Sequence, residues 1–386
     1  MSLVYDCAVV GTGPAGANAL RHLARRGRRV IGIDKARFPR YKTCGGAISA
    51  LAAAELDFEW RSVSEAVLRR VRLALRLGSE IVLDAPSPIC HFVMRDRFDH
   101  LLVERAQEAG ADILQGVSLR GIEIRSDHAR LTTSAGEIAA RCVIAADGAN
   151  SAAAEALGLF ERDRGIAIEA EVRAPQPILE AHRDTAYVSY ADPPWGYGWC
   201  FPKAEHLSVG VGTLSGRHRG VKQAFERLLA QLGLTDAEMR VHGHPIPALR
   251  ARRPRKLARP RALLAGDAAG LADPLSGEGI AHALASGRLA AQHVDEALRK
   301  GDFSFEGYQA EIQRTIGREL KIAAWIANRL YAFPRLLFWL FQRSPETVAM
   351  YFRIVSGEVR YAELGRHLEE QFRRFGMFQW AGGTSA

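Results

Sequence analysis

Apolar and polar positions change rhythm several times along this chain. Val4 to Val10 is an apolar run with β-branched members, the pattern of a parallel strand buried on both faces. After Gly11–Gly16 the period becomes helical. Leu20 and Leu23 share a face, Arg21, Arg25 and Arg26 are expected in water, and Gly27 suits the stop. Arg29 to Ile33 reads as a second strand, closed by Asp34. The helical period recurs over 97–109, where Phe98, Leu101, Leu102 and Ala106 lie together and Gly110 ends the helix. Residues 112–146 read as short strands and turns, ending in the apolar run Cys142–Ala146. Positions 165–173 and 185–213 alternate as in an antiparallel sheet. Another apolar strand is predicted at 262–265 and a helix from about Gly277 to Leu298. Residues 305–378 look helical, with interruptions at Pro334 and Pro345.

This alternation predicts an α/β protein without repeats or low-complexity linkers. A Rossmann-like domain drawn from 1–60, 97–160 and 255–300 would carry an inserted antiparallel β-sheet substrate domain from 61–96 and 161–254. A helical C-terminal region would span 301–386.

The first strand–helix–strand unit carries a dinucleotide fingerprint. Gly11 permits the tight turn, Gly13 lets the backbone approach a pyrophosphate, and Gly16 lets the helix pack close to the sheet. Pro14 and Ala15 open that helix, whose free N–H groups and positive dipole end suit an anion. Asp34, followed by Lys35, stands about 20 residues beyond the glycines, where an acid suits a ribose hydroxyl and repels a 2′-phosphate. Two further Gly/Asp pairs follow predicted strands, Asp147-Gly148 and Gly266-Asp267. Singly, either acid reads equally well as a turn residue or helix cap. Beside the N-terminal motif they favour contact with one extended cofactor at the carboxyl ends of a parallel sheet.

Bulk properties narrow the class. A chain of 386 residues supports a sizeable core, and 48% hydrophobic with 25% charged residues is ordinary for a soluble globular protein. The net charge of +9 suits an anionic ligand or a negatively charged membrane face. Nucleic acid is disfavoured, because no aromatic-interleaved basic motif occurs. The five cysteines, Cys7, Cys44, Cys90, Cys142 and Cys200, form no C-x-x-C pair, which points to neither zinc nor a disulfide framework. No metal is expected. A reducing, cytoplasmic setting follows, with the inner membrane face as a peripheral contact. A signal peptide and a spanning helix are not expected.

Three other segments carry candidate chemistry. Arg250 to Arg261 holds seven cations and no acid, Arg250, Arg252, Arg253, Arg255, Lys256, Arg259 and Arg261. They would serve a phosphate or lipid headgroup, or simply form a solvated loop. His242 and His244 lack carboxylate or cysteine partners at ligand spacing and read as surface or capping residues. The aromatic stretch 322–342, with Arg329 and Arg335, would lie on a membrane, line an apolar tunnel, or pack on the domain.

Two motifs make the resemblance specific: Phe38-Pro39-Arg40-Tyr41-Lys42-Thr43-Cys44-Gly45-Gly46 and Tyr197-Gly198-Trp199-Cys200-Phe201-Pro202-Lys203. With Gly11–Gly16, Asp34, Arg97 with Asp99, Asp147-Gly148, Gly266-Asp267 and the Pro274–Gly279 loop, the chain resembles the geranylgeranyl reductase family. That family lies within the FAD-dependent oxidoreductases of hydroxybenzoate-hydroxylase-like fold. The resemblance implies that Gly11, Gly13, Gly16, Asp34, Arg97 and Asp267 hold FAD. Pro274, Gly277 and Gly279 would lie beside the flavin ring, and Cys44, Gly45 and Gly46 would stand at the junction of flavin and substrate. Tyr197, Trp199 and Phe201 would form an aromatic wall over the substrate. Cys44 reads equally as a proton-delivering thiol and as a small residue chosen for fit.

The activity implied is reduction of carbon–carbon double bonds in a geranylgeranyl chain, with NADPH or ferredoxin as electron donor. The prenyl acceptor is a diphosphate, lipid, quinone or chlorophyll precursor. Two other readings share these features: a flavin-dependent monooxygenase, either hydroxylase or halogenase, and an isoprenoid-binding flavoprotein without turnover. Tyr197–Pro202 departs from the Trp-x-Trp-x-Ile-Pro segment typical of halogenases.

Overall fold

The computed structural model describes residues 4–161, 165–213, 220–247, 255–363 and 366. Its first sheet runs in the order Ala258–Arg259, Ala262–Leu264, Gly136–Ala145, Tyr5–Val10, Val30–Asp34 and Asp112–Gln115. From Ala262–Leu264 to Asp112–Gln115 all pairs are parallel. The register aligns the strand ends, Val10 opposite both Ala145 and Ile33, and Ala145 opposite Leu264. Cys7 and Cys142 face each other in this core and are fully buried. Leu119–Ile124 and Ala129–Thr133 add an antiparallel meander on Gly136–Ala145.

Two helices cover one side of these strands. Pro14–Ala24 packs on Ile280–Lys300 so closely that a Cβ on Gly287 would stand 2.2 Å from the Ala15 carbonyl oxygen. Arg21 corrects the expectation of a wet face. It is buried, its guanidinium 2.5 Å from Asp57 and stacked over Phe58, while Arg25 and Arg26 are exposed. An arginine can lay its stem on apolar surface while its head finds a carboxylate.

The second sheet has seven strands, Glu238–Ile246, Gly165–Arg173, Leu207–Thr213, Gly196–Pro202, Thr185–Tyr190, Arg70–Leu75 and Glu80–Asp84 in spatial order. It is antiparallel except where Thr185–Tyr190 runs parallel to Arg70–Leu75. A small third sheet, Ala47–Ile48, Cys90–Val93 and Ser64–Leu68, lies on the chain path between the two. The helix expected at 97–109 is observed as Arg95–Glu108, starting one half-turn earlier.

C-terminally, Glu306–Arg314, Ile316–Ala332, Pro334–Arg343 and Pro345–Val355 are helical. The helical region breaks at Pro334 and Pro345 as expected, and each proline begins the next helix, because the first turn needs no proline N–H. These helices pack on the second sheet through Phe338 and Phe352. Among the described residues no helix is long and apolar enough to cross a membrane.

Candidate active site

The parallel register brings three loops to one edge. Gly11 N–H donates to Ile33 O, Ala146 N–H to Val10 O, and Ala265 N–H to Ala145 O. Gly11 has φ 86, and a Cβ there would lie 2.6 Å from Ala146 O. Gly16 sits under the same turn, where a Cβ would meet Gly11 O at 1.9 Å. Gly13 faces open space whose nearest atom is Arg40 Nη2, 3.8 Å from the position of a Cβ. Gly266 approaches Ala15, and Asp267 Oδ1 would lie 3.3 Å from a Cβ on Gly279. Glycine loop, Gly266-Asp267 and the end of the 274–279 loop therefore meet. Asp34 closes the second strand and accepts from Thr12 N–H at 2.8 Å and Ala36 N–H at 2.9 Å, which fixes its carboxylate beside the glycine turn. Lys35 follows it on the surface side of that strand end.

A charged cluster stands above these loops. Arg95 donates bidentately to Asp99, Nε to Oδ1 at 2.7 Å and Nη2 to Oδ2 at 2.9 Å, and Arg40 Nη2 reaches Asp99 Oδ2 at 2.8 Å. Burial alone would raise Asp99, but Arg95 and Arg40 outweigh it and hold it below the usual carboxylate range. Lys42 donates to His244 Nε2 at 2.5 Å. Burial, then Lys42 and Arg95, push His244 down to about 3, so its ring is neutral and accepts. Lys42 is itself lowered by burial and by Arg95.

Across the cleft, the Cys44–Gly46 loop presses on the predicted wall. A Cβ on Gly45 would stand 2.8 Å from the Phe201 ring and 3.7 Å from Trp199 Nε1. Phe201 stacks on Phe92 at 4.8 Å, and Tyr197, Trp199 and Phe201 form a row with centroid spacings of 5.7 and 6.2 Å. Buried Lys203 donates to Gly45 O at 2.9 Å and Val93 O at 2.8 Å and so ties this loop to the sheet. Glu169 accepts from Cys44 N–H at 3.3 Å and from the Ser208 hydroxyl at 3.2 Å. It is 1% exposed, and burial, then Glu171, push it up to about 7, partly offset by Lys203. Gly46 N–H points at Cys44 Sγ, 3.4 Å away. Tyr197 closes the far end, its hydroxyl donating to Ser276 O in the 274–279 loop, beside Gly277. Asp273 Oδ1 accepts from Leu275 and Ser276 N–H groups and shapes that loop just after Pro274.

Several expected residues sit differently. Arg97 is turned to solvent and paired with Glu65 at 2.8 Å, away from the cluster; Arg95, two residues earlier, points inward. On a helix a shift of two positions turns a side chain to the opposite face. Asp147 directs both oxygens into its own loop, to the Ser151 hydroxyl and Ala153 N–H, as a helix cap, leaving Gly148 with φ 85 and open space around it. His244 belongs to the cleft rather than the surface, and His242 packs in a tilted ring pair with Tyr41, centroids 4.6 Å apart. In the basic segment, residues 250–254 lie outside the described residues. Arg255, Arg259 and Arg261 donate to the carbonyls of Ala268, Leu157, and Ser126 with Arg141. Arg40, Arg95, Lys42, Glu169 and Lys203 were not singled out for roles from sequence. Arg40, Lys42 and Lys203 do stand inside the two family motifs, and the i,i+4 spacing of Arg95 and Asp99 is a further local signal.

The cleft fits a flavin dinucleotide. Arg40 Nη1 is buried without a hydrogen-bond partner over the open face of Gly13, where an anionic pyrophosphate would satisfy it. Trp199 Nε1 is likewise unpartnered beside Gly45. Among the described residues no cluster suits a metal ion. The FAD binding domain family matches residues 4–311. Geranylgeranyl diphosphate reductase of Nicotiana tabacum is 33% identical over 76% of this chain and 67% of its own length. Menaquinone reductase of Mycolicibacterium smegmatis is 32% identical over 87% of each chain. A geranylgeranyl bacteriochlorophyll reductase-like protein of Thermoplasma acidophilum superposes with a TM-score of 0.75 at 25% identity, over 92% of this chain and 91% of that one. A flavin-dependent brominase shares the fold at 18% identity, with a TM-score of 0.72 over 96% of this chain and all of that one. Glycine turns, aligned strand ends and aromatic wall thus agree with these likenesses: the chain belongs to the geranylgeranyl reductase family of FAD-dependent oxidoreductases, and its cofactor is FAD.

Proposed function

We propose that this protein reduces carbon–carbon double bonds in a geranylgeranyl-type isoprenoid chain. The observation that carries the reading is the meeting of the Cys44–Gly46 loop with Trp199, Phe201 and Lys203 at one end of the nucleotide cleft. Reductases named for geranylgeranyl diphosphate and for menaquinone are its relatives, which supports an isoprenoid substrate.

When bound and reduced, FAD would supply the hydride. The protein's own tasks are position, dryness and a proton, because an isolated alkene is poorly polarised. Gly11, Gly13, Asp34, Arg40 and Asp267 hold the dinucleotide, with Arg95 and Asp99 fixing Arg40. Tyr197, Trp199 and Phe201 hold the chain by apolar contact. Cys44 stands at the junction, and Glu169, raised to about 7 by burial, is the acid nearest to its backbone. In this reading one proton reaches the alkene carbon that does not receive hydride, from Cys44, which regains it from solvent once the product has left.

Anaerobic incubation of dithionite-reduced protein with geranylgeranyl substrates, followed by mass spectrometry, tests the reading without fixing NADPH or ferredoxin as donor. Products heavier by two hydrogens per bond are expected. A strict need for oxygen, with an oxygenated or halogenated product, would make the chain a monooxygenase. Tight prenyl binding without turnover would make it a carrier.

A further inference from the structure

Exposed large apolar side chains are scattered over most of this molecule; Val82, Leu114 and Val241 each belong to a different strand. One face gathers them. Trp195, 37% exposed, and Phe333, 60% exposed, stand on either side of Arg76. Trp195 shares with Arg76 a surface depression of about 530 Å³, and Phe333, Arg335 and Leu336 share with it the adjoining one, of about 490 Å³. The chain builds this face from the 191–195 loop, the turn at Arg76, and the corner between helices Ile316–Ala332 and Pro334–Arg343. Both helices carry the same character away from the corner. Trp325 and Arg329 are four residues apart, as are Arg335, Trp339 and Arg343, so each set shares a helix face. Exposed Arg329 and Arg343 lie over the half-buried rings of Trp325 and Trp339, at 3.5 and 5.0 Å. Phe338 and Phe341 turn the other way and are buried.

The charge of this face has one sign. Residues 320–345 hold four cations, Lys321, Arg329, Arg335 and Arg343, and no acid. The acids at either border are engaged elsewhere, Glu319 by the Tyr361 N–H and Glu346 by the Ser344 hydroxyl. Asp192, on the first depression, is neutralised by Arg227. Among the described residues no carboxylate pairs with Arg76, Arg329, Arg335 or Arg343. Aromatic rings beside unpaired guanidiniums suit the surface of a bilayer. The rings settle at headgroup level, the guanidiniums meet lipid phosphates, and the arginine stems lie on apolar surface. The strip from Arg335 to Arg343 runs about 12 Å along its helix, the form of an interfacial element rather than a spanning one.

We propose that this face docks the protein on a bilayer that carries anionic phospholipid. Trp195 and Phe333 enter the headgroup layer, and Arg76, Arg335 and Arg343 pair with its phosphates. Docking needs no turnover, so it stands apart from the isoprenoid reading. It also gives that reading a route. Trp195 lies 6.2 Å from Tyr331, which packs with Tyr190, and Tyr190 stands 6.1 Å from Tyr197. The docked face is therefore the outer end of the aromatic row.

The test is co-sedimentation of the FAD-loaded protein with vesicles of phosphatidylglycerol or of phosphatidylcholine, in low and in high salt. Binding to phosphatidylglycerol is expected to be at least about tenfold tighter, a difference that shrinks in high salt. Arg76→Gln combined with Arg335→Gln should remove most of that preference. Phe333→Ser should weaken binding to phosphatidylglycerol at least about fivefold, and Phe333→Trp should keep it. All these variants are expected to retain flavin and the wild-type urea midpoint, which shows that they fold. Lys222→Gln and Val241→Ser remove an exposed charge and an exposed apolar side chain elsewhere, and should bind as the wild type does. Equal, salt-independent binding to both lipids overturns the proposal, as does binding unchanged in the arginine pair and in Phe333→Ser. A dimer that Phe333→Ser dissociates would give the face to a second copy and also overturns it. So does binding of a single-stranded oligonucleotide, lost with Arg335→Gln, where vesicles do not bind. If vesicles bind as expected but reduced protein saturates no prenyl chain presented in detergent, the docking face stands and the reductase reading fails.

Discussion

On the nucleotide side of the cleft the working parts are backbone: turns at Gly11 and Gly266, the helix brought close at Gly16, and the ends of parallel strands. On the facing side they are side chains from distant segments, Lys42, Glu169, Lys203, Trp199 and Phe201. The first side is set by local chain geometry and by how near two backbones can come. The second exists only after two sheets and a loop have packed. The difference predicts two kinds of failure: substitutions on the nucleotide side should exclude FAD, and those on the facing side should spare FAD and alter turnover, stability or its pH dependence.

The largest effect should come from Gly16→Val. The added side chain meets the Gly11 carbonyl, a backbone atom that cannot swing away, so purified protein should retain less than about a tenth of its flavin, as read by absorbance. Next is Arg95→Gln, which leaves Asp99 buried with Arg40 alone. A loss of about 3 kcal/mol in denaturant unfolding is expected, because breaking a buried pair strands a charge. Arg97→Gln, two residues on and exposed, should leave stability and flavin content at wild-type levels. Equal effects from the two arginines would contradict the assignment of the inward face.

Glu169 sharpens the comparison through pH. Its native pKa is raised to about 7, whereas the unfolded group titrates near the usual glutamate value, so the native state holds a proton that the unfolded state has lost. Stability from this group is therefore full at low pH and is lost as pH rises through about 7, by about 3 kcal/mol at most. Glu169→Gln should flatten unfolding free energy between roughly pH 4.5 and 7, as measured by urea melts across that window. A Gln variant that keeps the wild-type slope would remove Glu169 as its source. The smallest structural change, Cys44→Ala, should leave flavin and fold intact but slow turnover by about a hundredfold, the usual scale for a positioned proton donor. Full turnover would leave Cys44 as a residue chosen for fit beside Gly45.

The two sides also differed in how readily they could be read from the chain. Glycines with flanking strands mark the nucleotide turn directly, because no other residue fits where a Cβ would stand 1.9 Å from a carbonyl. Tyr197, Trp199 and Phe201 were visible through alternation along one strand and through their resemblance to a family motif. The charged cluster was not. Lys42 and His244 are 202 positions apart in sequence, and Cys44 and Glu169 are 125 apart, so nothing local links them. Arg97 shows the limit even nearby: the motif places an arginine beside Asp99, but only the helix start decides which of two arginines faces inward. Asp147 shows the converse, an acid at a strand end that serves its own helix.

The most direct test of the central claim is a single anaerobic turnover: chemically reduced protein, geranylgeranyl diphosphate in excess, and mass spectra of the prenyl product. Saturation of at least one double bond, with matching reoxidation of the flavin, is the result expected. Unchanged substrate with the flavin still reduced, or product formed only after oxygen is admitted, would contradict it.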